Sequence, residues 1–215
     1  MTQVIVGKDL RELFGVAREQ GQRPTCLAFA LSDAHSSLRD PWMHLSCEFL
    51  FYHAQRRAGR PPNIGATLPS ALQSLLHDGQ PAESGWRYLP ALPGDLTKWS
   101  PPPDVGPIFH CTGSSSPTVI NEIISTLEAG RPVVVLMTIS RSFLSGKHIV
   151  DAGPEEPPEP ARGHAVVAVG HGHVDCHRAI LIRNSWGHRW GEQGYAWITE
   201  RYLKPRIYEA ALLTN

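Results

Sequence analysis

Gln20-Gly-Gln-Arg-Pro-Thr-Cys26-Leu-Ala-Phe29 is the stretch on which the reading of this 215-residue chain turns. Pro24 suits a backbone arriving extended, and Thr25 suits the N-cap of a helix. Behind them Leu27, Leu31, Ala34 and Leu38 recur at helical spacing. The spacing predicts a helix beginning near Cys26, which puts a thiol in a first turn. A helix N-terminus carries partial positive charge and favours a thiolate over a thiol whose ordinary pKa is ~8.5. Alone, a cysteine in an apolar helix is more commonly a small buried hydrophobe, so other stretches have to decide its role.

Two of them do. Gly163-His164-Ala-Val-Val-Ala-Val-Gly170 heads a strand-like run with a histidine, and Ile182-Arg-Asn184-Ser-Trp186-Gly187 sets an asparagine before Trp-Gly. Nucleophilic thiol catalysis needs a base for the thiol proton and a group to orient that base. His164 is the candidate base and ion-pair partner for a Cys26 thiolate. Asn184 is the candidate orienting group, since its amide bonds the imidazole without adding negative charge. Attack on an amide carbonyl creates an oxyanion, for which the backbone N–H of Cys26 and the side-chain amide of Gln20 are suitable donors. The candidate catalytic set is therefore Gln20, Cys26, His164 and Asn184.

Outward from these stretches the chain changes texture. Helical patterns occupy the first part: the run from Cys26, then Leu45 to Ala54, then Leu68 to His77, stopped by Gly79. Residues 90–107, PALPGDLTKWSPPPDVGP, sustain neither helix nor central strand and read as a crossing between halves. Pro117 to Ala129 reads as one more helix, with Gly130 beyond its end. Strand-like runs follow at Pro132–Ile139, His164–Val169, Ala179–Arg183, Gly194–Thr199 and Tyr208–Leu213. The expectation is an α+β protein with a helical lobe over residues 1–105, a β-rich lobe over 106–215 and a cleft between them.

Composition narrows the function classes. Twenty Lys and Arg balance twenty Asp and Glu, so no basic field recruits nucleic acid and no charged tail marks a partner. The longest apolar runs, such as Val133–Met137, are strand-length and far short of a membrane span. The N-terminal run mixes charges into its apolar residues and makes a poor signal peptide. Cys26, Cys47, Cys111 and Cys176 show no paired framework, which points to a reducing, cytoplasmic setting, though export by a specialised machine would look the same. His171-Gly-His-Val-Asp-Cys176-His177 reads as a hairpin turn rather than a zinc site, so neither metal nor cofactor is expected. The acidic strip Pro154–Pro160 reads as an extended solvated loop ahead of His164.

Taken together, these stretches resemble those of the papain-like cysteine peptidases, the clan that includes the cathepsins. Gln20, Gly21, Ala28 and Phe29 match the surroundings of that family's nucleophile. His164-Ala-Val-Val-Ala-Val-Gly170-His-Gly172 matches its histidine block, and Arg183–Gly187, Trp190-Gly191 and Gly194-Tyr195 match its Asn-Ser-Trp-Gly series. The resemblance implies a two-lobed fold, with Cys26 on the central helix of a helical N-terminal lobe and an antiparallel, β-barrel-like C-terminal lobe carrying His164 and Asn184. It implies peptide-bond hydrolysis through an acyl-thioester. It also implies that Gly65 and Ala66 pair with extended substrate backbone, and that Trp186 covers the His–Asn bond and lines the leaving-group side.

Departures carry their own expectations. Leu27 replaces an aromatic residue, and Arg23-Pro24 replaces a frequent Cys-Gly, so the disulfide anchored there in relatives cannot form. Only about twenty-five residues precede Cys26, too few for a long inhibitory propeptide, so control by a regulatory protein partner is expected instead. The expected partner of the site is a peptide or protein substrate, with no nucleic acid and no membrane. Peptide ligation, acyl transfer or cleavage of a specific protein tag would use the same residues, and a degenerate fold kept as a binding module is the non-enzyme alternative.

Overall fold

A computed structural model describes residues 3–153 and 156–215. The chain forms two compact units. One comprises Gln20–Ser114 with Leu213–Asn215; the other comprises the residues up to Glu19 with Ser115–Leu212. The break thus falls later than the proline-rich crossing, and the N-terminal stretch joins the strand-rich unit through strand β1 (Val4–Asp9).

In the helical unit, α1 (Cys26–Ser36) is buried on every side, from Leu27 through Ser36. The stripe Leu27, Leu31, Ala34 therefore marks a central helix rather than an amphipathic surface one, and Leu38 lies past its end. Buried polar side chains of α1 are bonded within the unit. His35 Nδ1 pairs with Gln80 Oε1 at 2.9 Å, and Gln80 Nε2 donates to Ser32 Oγ at 2.6 Å. Helix α2 (Cys47–Ala58) starts where Ser46 accepts from the N–H of Phe49 and ends at Gly59, whose φ of 60° is the left-handed cap glycine tolerates. Helix α3 (Leu68–His77) carries a proline in its first turn and is followed by Gly79 at φ 68°. Short strands β2 (Gln80–Pro81) and β3 (Ile108–Phe109) pair antiparallel, and β4 (Thr112–Ser115) follows. Inside the proline-rich crossing, Trp99 is buried and its indole donates to Glu48 at 2.7 Å.

The strand-rich unit opens with α4 (Ile120–Glu128), three residues shorter at its start than expected. Val119 is extended, and the N–H of Ser116 donates to Ala210, so Pro117 stays outside the helix. Then come β5 (Val133–Thr138), the single turn α5 (Arg141–Leu144), β6 (Ile149–Val150), β7 (Gly163–Val174), β8 (His177–Arg183), β9 (Tyr195–Thr199), the turn α6 (Glu200–Leu203) and β10 (Ile207–Thr214). The sheet runs β10-β5-β7-β8-β9-β6, with β1 beside the far half of β7. All these pairings are antiparallel except β6–β9. The path does not return on itself, so the barrel-like expectation is corrected to an open sheet. Two β7 glycines explain the seating of β1. A Cβ at Gly170 would meet the Lys8 carbonyl oxygen at 2.4 Å, and one at Gly172 would meet that of Ile5 at 2.2 Å. Apolar side chains from β5, β7, β8, β9 and α4 make the core of this unit.

Of the strip Pro154–Pro160, Pro154 and Glu155 lie outside the described residues. Glu156 is tied down by hydrogen bonds to Ser140 and Ser142, so that residue is not a solvated loop position.

Candidate active site

In the helical unit the loop from Gln20 to Thr25 is pinned at several points. Gln20 is buried, its Nε2 donates to the Arg23 carbonyl at 2.9 Å, and its own carbonyl accepts from Tyr88 Oη at 2.6 Å. The N–H of Thr25 donates to the same Arg23 carbonyl. Thr25 holds the N-cap position as expected, yet its hydroxyl makes no cap bond; Oγ1 pairs with Tyr88 Oη at 2.9 Å instead. Cys26 follows as the first residue of α1, partly exposed while every later residue of the helix is buried. Its thiol is thus the one that α1 presents outward, in a first turn that favours negative charge. Cys111 is the opposite case: burial pushes its thiol up to about 12, against a smaller opposing pull from Arg39.

Arg23 accounts for the missing disulfide. Its guanidinium forks onto Glu48 (Nη1–Oε2 2.6 Å, Nη2–Oε1 2.9 Å) and also donates to the Leu89 carbonyl at 2.6 Å. Glu48 is fully buried and accepts further from Trp99 Nε1 at 2.7 Å and the N–H of Leu89 at 3.0 Å. A bidentate ion pair whose carboxylate takes further hydrogen bonds is an arrangement in which buried charge is tolerable. It anchors the loop ahead of Cys26. Gly65 and Ala66 are half-buried in the loop before α3, and a Cβ on Gly65 would lie 3.8 Å from the Pro24 carbonyl oxygen.

In the strand-rich unit His164 opens β7 and Asn184 directly follows β8. The hairpin turn at Asp175-Cys176 folds the two strands antiparallel, with Val167 opposite Arg183, and so returns the chain from His164 to Asn184 at one end of the sheet. Asn184 Oδ1 accepts from the backbone N–H of Ser185 at 2.8 Å, which identifies it as the oxygen. It lies 2.7 Å from His164 Nε2, so the ring donates from Nε2 and Nδ1 is left as its proton-accepting nitrogen. The Trp186 ring lies against the imidazole with centroids 4.7 Å apart, and Phe143 meets it nearly edge-on at 5.6 Å. Trp190 backs both aromatics. Burial lowers the His164 pKa to about 4, with the Asn184 bond pulling weakly the other way. In this apolar wall the ring is a neutral imidazole near pH 7.

Gln20 and Cys26 thus stand together in one unit, and His164, Asn184 and Trp186 stand together in the other. The His171–His177 segment is a hairpin with Asp175 at φ 51°. Among the described residues no three His, Cys, Asp or Glu side chains are grouped to hold a metal, and no helix is long and apolar enough to cross a membrane. Phe143, Trp190, Tyr88 and the Arg23–Glu48 pair were not anticipated as parts of the site. Trp190 had a signal in its Trp-Gly motif, whereas Phe143 sits in a single turn with no periodicity to betray it.

Residues 109–212 match the family model described as papain family cysteine protease. Over almost its whole length the fold also superposes on xylellain, a cysteine protease from Xylella fastidiosa. The TM-score is 0.79 at 23% identity, covering 98% of this chain and 87% of that one. The fold is papain-like. Among curated relatives, a cysteine protease of Blomia tropicalis is 25% identical over 200 residues, 84% of this chain and 56% of the relative. A peptidase C1-like protein of Acanthamoeba polyphaga mimivirus is 32% identical over 88 residues, 39% of this chain and 27% of the relative. The chain therefore spans between about a quarter and just over half the length of these two relatives.

Proposed function

We propose that the chain is a cysteine peptidase. The observation that carries this reading is the Nε2–H bond from His164 to Asn184 at 2.7 Å beneath Trp186, which leaves Nδ1 as a base in a dry wall. Nδ1 takes the proton of Cys26, and the sulfur attacks the carbonyl carbon of a peptide bond. The resulting oxyanion accepts from the backbone N–H of Cys26 and the amide of Gln20. The tetrahedral intermediate collapses, the C–N bond breaks, and the departing amine takes the proton from His164. Water, deprotonated by the same nitrogen, then cleaves the thioester and restores the thiol.

Because burial makes the His164 ring a weak base on its own, an ion pair with Cys26 requires the thiolate itself to lift the ring's pKa; the two groups titrate as a pair. Gly65 and Ala66 offer backbone to an extended peptide substrate, and Trp186 lines the leaving-group side. The same reading sets the enzyme in a reducing, cytoplasmic compartment, with Arg23 and Glu48 doing the anchoring that a disulfide does elsewhere.

The test is alkylation of Cys26 by iodoacetamide as a function of pH, located by peptide mapping, alongside hydrolysis of an unstructured protein substrate. Fast labelling below about pH 6, lost in Cys26→Ala together with hydrolysis, is the expected result. Labelling that rises only near the pKa of an ordinary thiol, with no hydrolysis, would overturn the peptidase reading.

A further inference from the structure

A single helical turn cannot hold itself, because nucleation fixes several residues for one backbone hydrogen bond. Yet the turn α5 carries Phe143, fully buried, 5.6 Å from the His164 ring and 5.3 Å from that of Trp186. The Trp190 indole donates to the Phe143 carbonyl at 3.3 Å, and one carboxylate clips the start of the turn. Glu156 accepts from Ser140 Oγ at 2.6 Å, from the backbone N–H of Ser142 at 2.7 Å and from Ser142 Oγ. Glu156 is itself fixed through its carbonyl, which accepts from Arg206 Nη2 at 2.6 Å. The Arg206 guanidinium lies 4.0 Å over the Tyr202 ring, and Tyr202 Oη accepts from the N–H of Ser140 at 2.9 Å. Burial opposes charge on Glu156. The bonds from Ser140 and Ser142 outweigh it and hold the carboxyl down at about 2. The carboxylate is therefore ionised, and the turn held, across the whole neutral range.

We propose that Glu156 is a positioning residue for His164, acting through Ser140, Ser142 and Phe143 to hold the aromatic wall against the imidazole. Its bonds run to Ser140 and Ser142 at α5, to Gly153 in its own loop and to Arg206, so it works through that wall. The proposal rests on reading His164 as the base. Without the clip α5 loosens, Phe143 withdraws, water reaches the ring, and the charged imidazolium becomes easier to form.

The experiment is an NMR titration of the His164 ring in the full chain carrying Cys26→Ala, with and without Glu156→Ala. The expected result is a titration that moves up from about 4 toward 6.5 by about one unit. Glu156→Gln, which keeps an acceptor oxygen for Ser140 and Ser142, should retain most of the original value. Mere removal of a nearby negative charge would shift the ring the other way. A His164 titration that stays put or falls in folded Glu156→Ala overturns the proposal. Should that variant not fold, Ser142→Ala removes one bond of the clip and must give a smaller upward shift; no shift is equally fatal. In the chain with Cys26 intact, Glu156→Ala should lower kcat roughly tenfold with KM little changed. The titration needs no turnover. Failure of the peptidase reading would show instead as slow alkylation of Cys26 in the unaltered chain, with the shift still present.

Discussion

Gln20 and Asn184 are both amides, and their surroundings assign them opposite duties. Gln20 spends one N–H on the Arg23 carbonyl, a bond that fixes the side chain rather than any reacting group. Asn184 presents its oxygen, doubly bonded by Ser185 and His164, and so sets a tautomer. The first is suited to a charge that exists only in the transition state, the second to a ring present in every state. Gln20→Ala should therefore lower kcat about a hundredfold and leave KM nearly alone. Asn184→Ala should be milder, about tenfold, because orientation is weakened while both the nucleophile and the base remain. Steady-state kinetics on a peptide substrate separates the two. A Gln20→Ala defect that appears in KM rather than kcat would remove Gln20 from the oxyanion role.

At the scale of elements, the loop ahead of α1 depends on the Arg23–Glu48 pair, and its two halves are not equivalent. Loss of Arg23 leaves Glu48 with the Trp99 and Leu89 donors, and a carboxylate can neutralise itself by taking a proton. Loss of Glu48 strands a guanidinium that stays charged, together with the Trp99 and Leu89 N–H groups. Glu48→Ala should thus cost roughly 3–5 kcal/mol and Arg23→Ala clearly less, read by urea unfolding at pH 7. Equal costs would mean that the pair, not the wider network, is what matters.

Neither partner announces itself in the sequence, since Glu48 reads as an ordinary early-helix acid and Arg23 as a departure from a pattern. The long helices and central strands were legible because their apolar spacing is dictated by the core they face; α3 falls on Leu68–His77 as its spacing predicts. Strand β1 was not, because its residues are half-buried or exposed on both faces and no alternation survives. The catalytic candidates were legible as local motifs. The wall around His164 was not, because Phe143 reaches the ring from a single turn held by tertiary bonds rather than by any apolar spacing.

The whole molecule carries no formal net charge at neutral pH, and groups whose pKa is shifted on folding set where acid begins to weaken it. Burial lowers the pKa of His164 to about 4 in the strand-rich unit, and in the helical unit burial also lowers that of His35, against its bond to Gln80. A histidine whose pKa is depressed on folding is protonated first in the unfolded chain. Its contribution is complete above the unfolded value of 6.5 and is lost as the pH falls toward the folded one. For His164 alone the loss amounts to about 3 kcal/mol by pH 4. Glu156, held at about 2 in the folded chain, adds its own loss as the pH falls below its ordinary 4.5.

Urea unfolding of the Cys26→Ala chain should therefore be flat from pH 7 to about 8, below the range in which the raised Cys111 thiol costs stability, and weaken steadily between about 6.5 and 4. Stability that is constant or rises across that window would show that the ring is not held neutral. The unaltered chain should be less sensitive over the same range, because a Cys26 thiolate favours the imidazolium and raises the pKa that burial lowers. The difference between the two slopes then measures the coupling of thiolate and imidazole in the absence of any substrate. Identical slopes would mean that the thiol is neutral at rest and that His164 acts on it only as a general base once a peptide is bound.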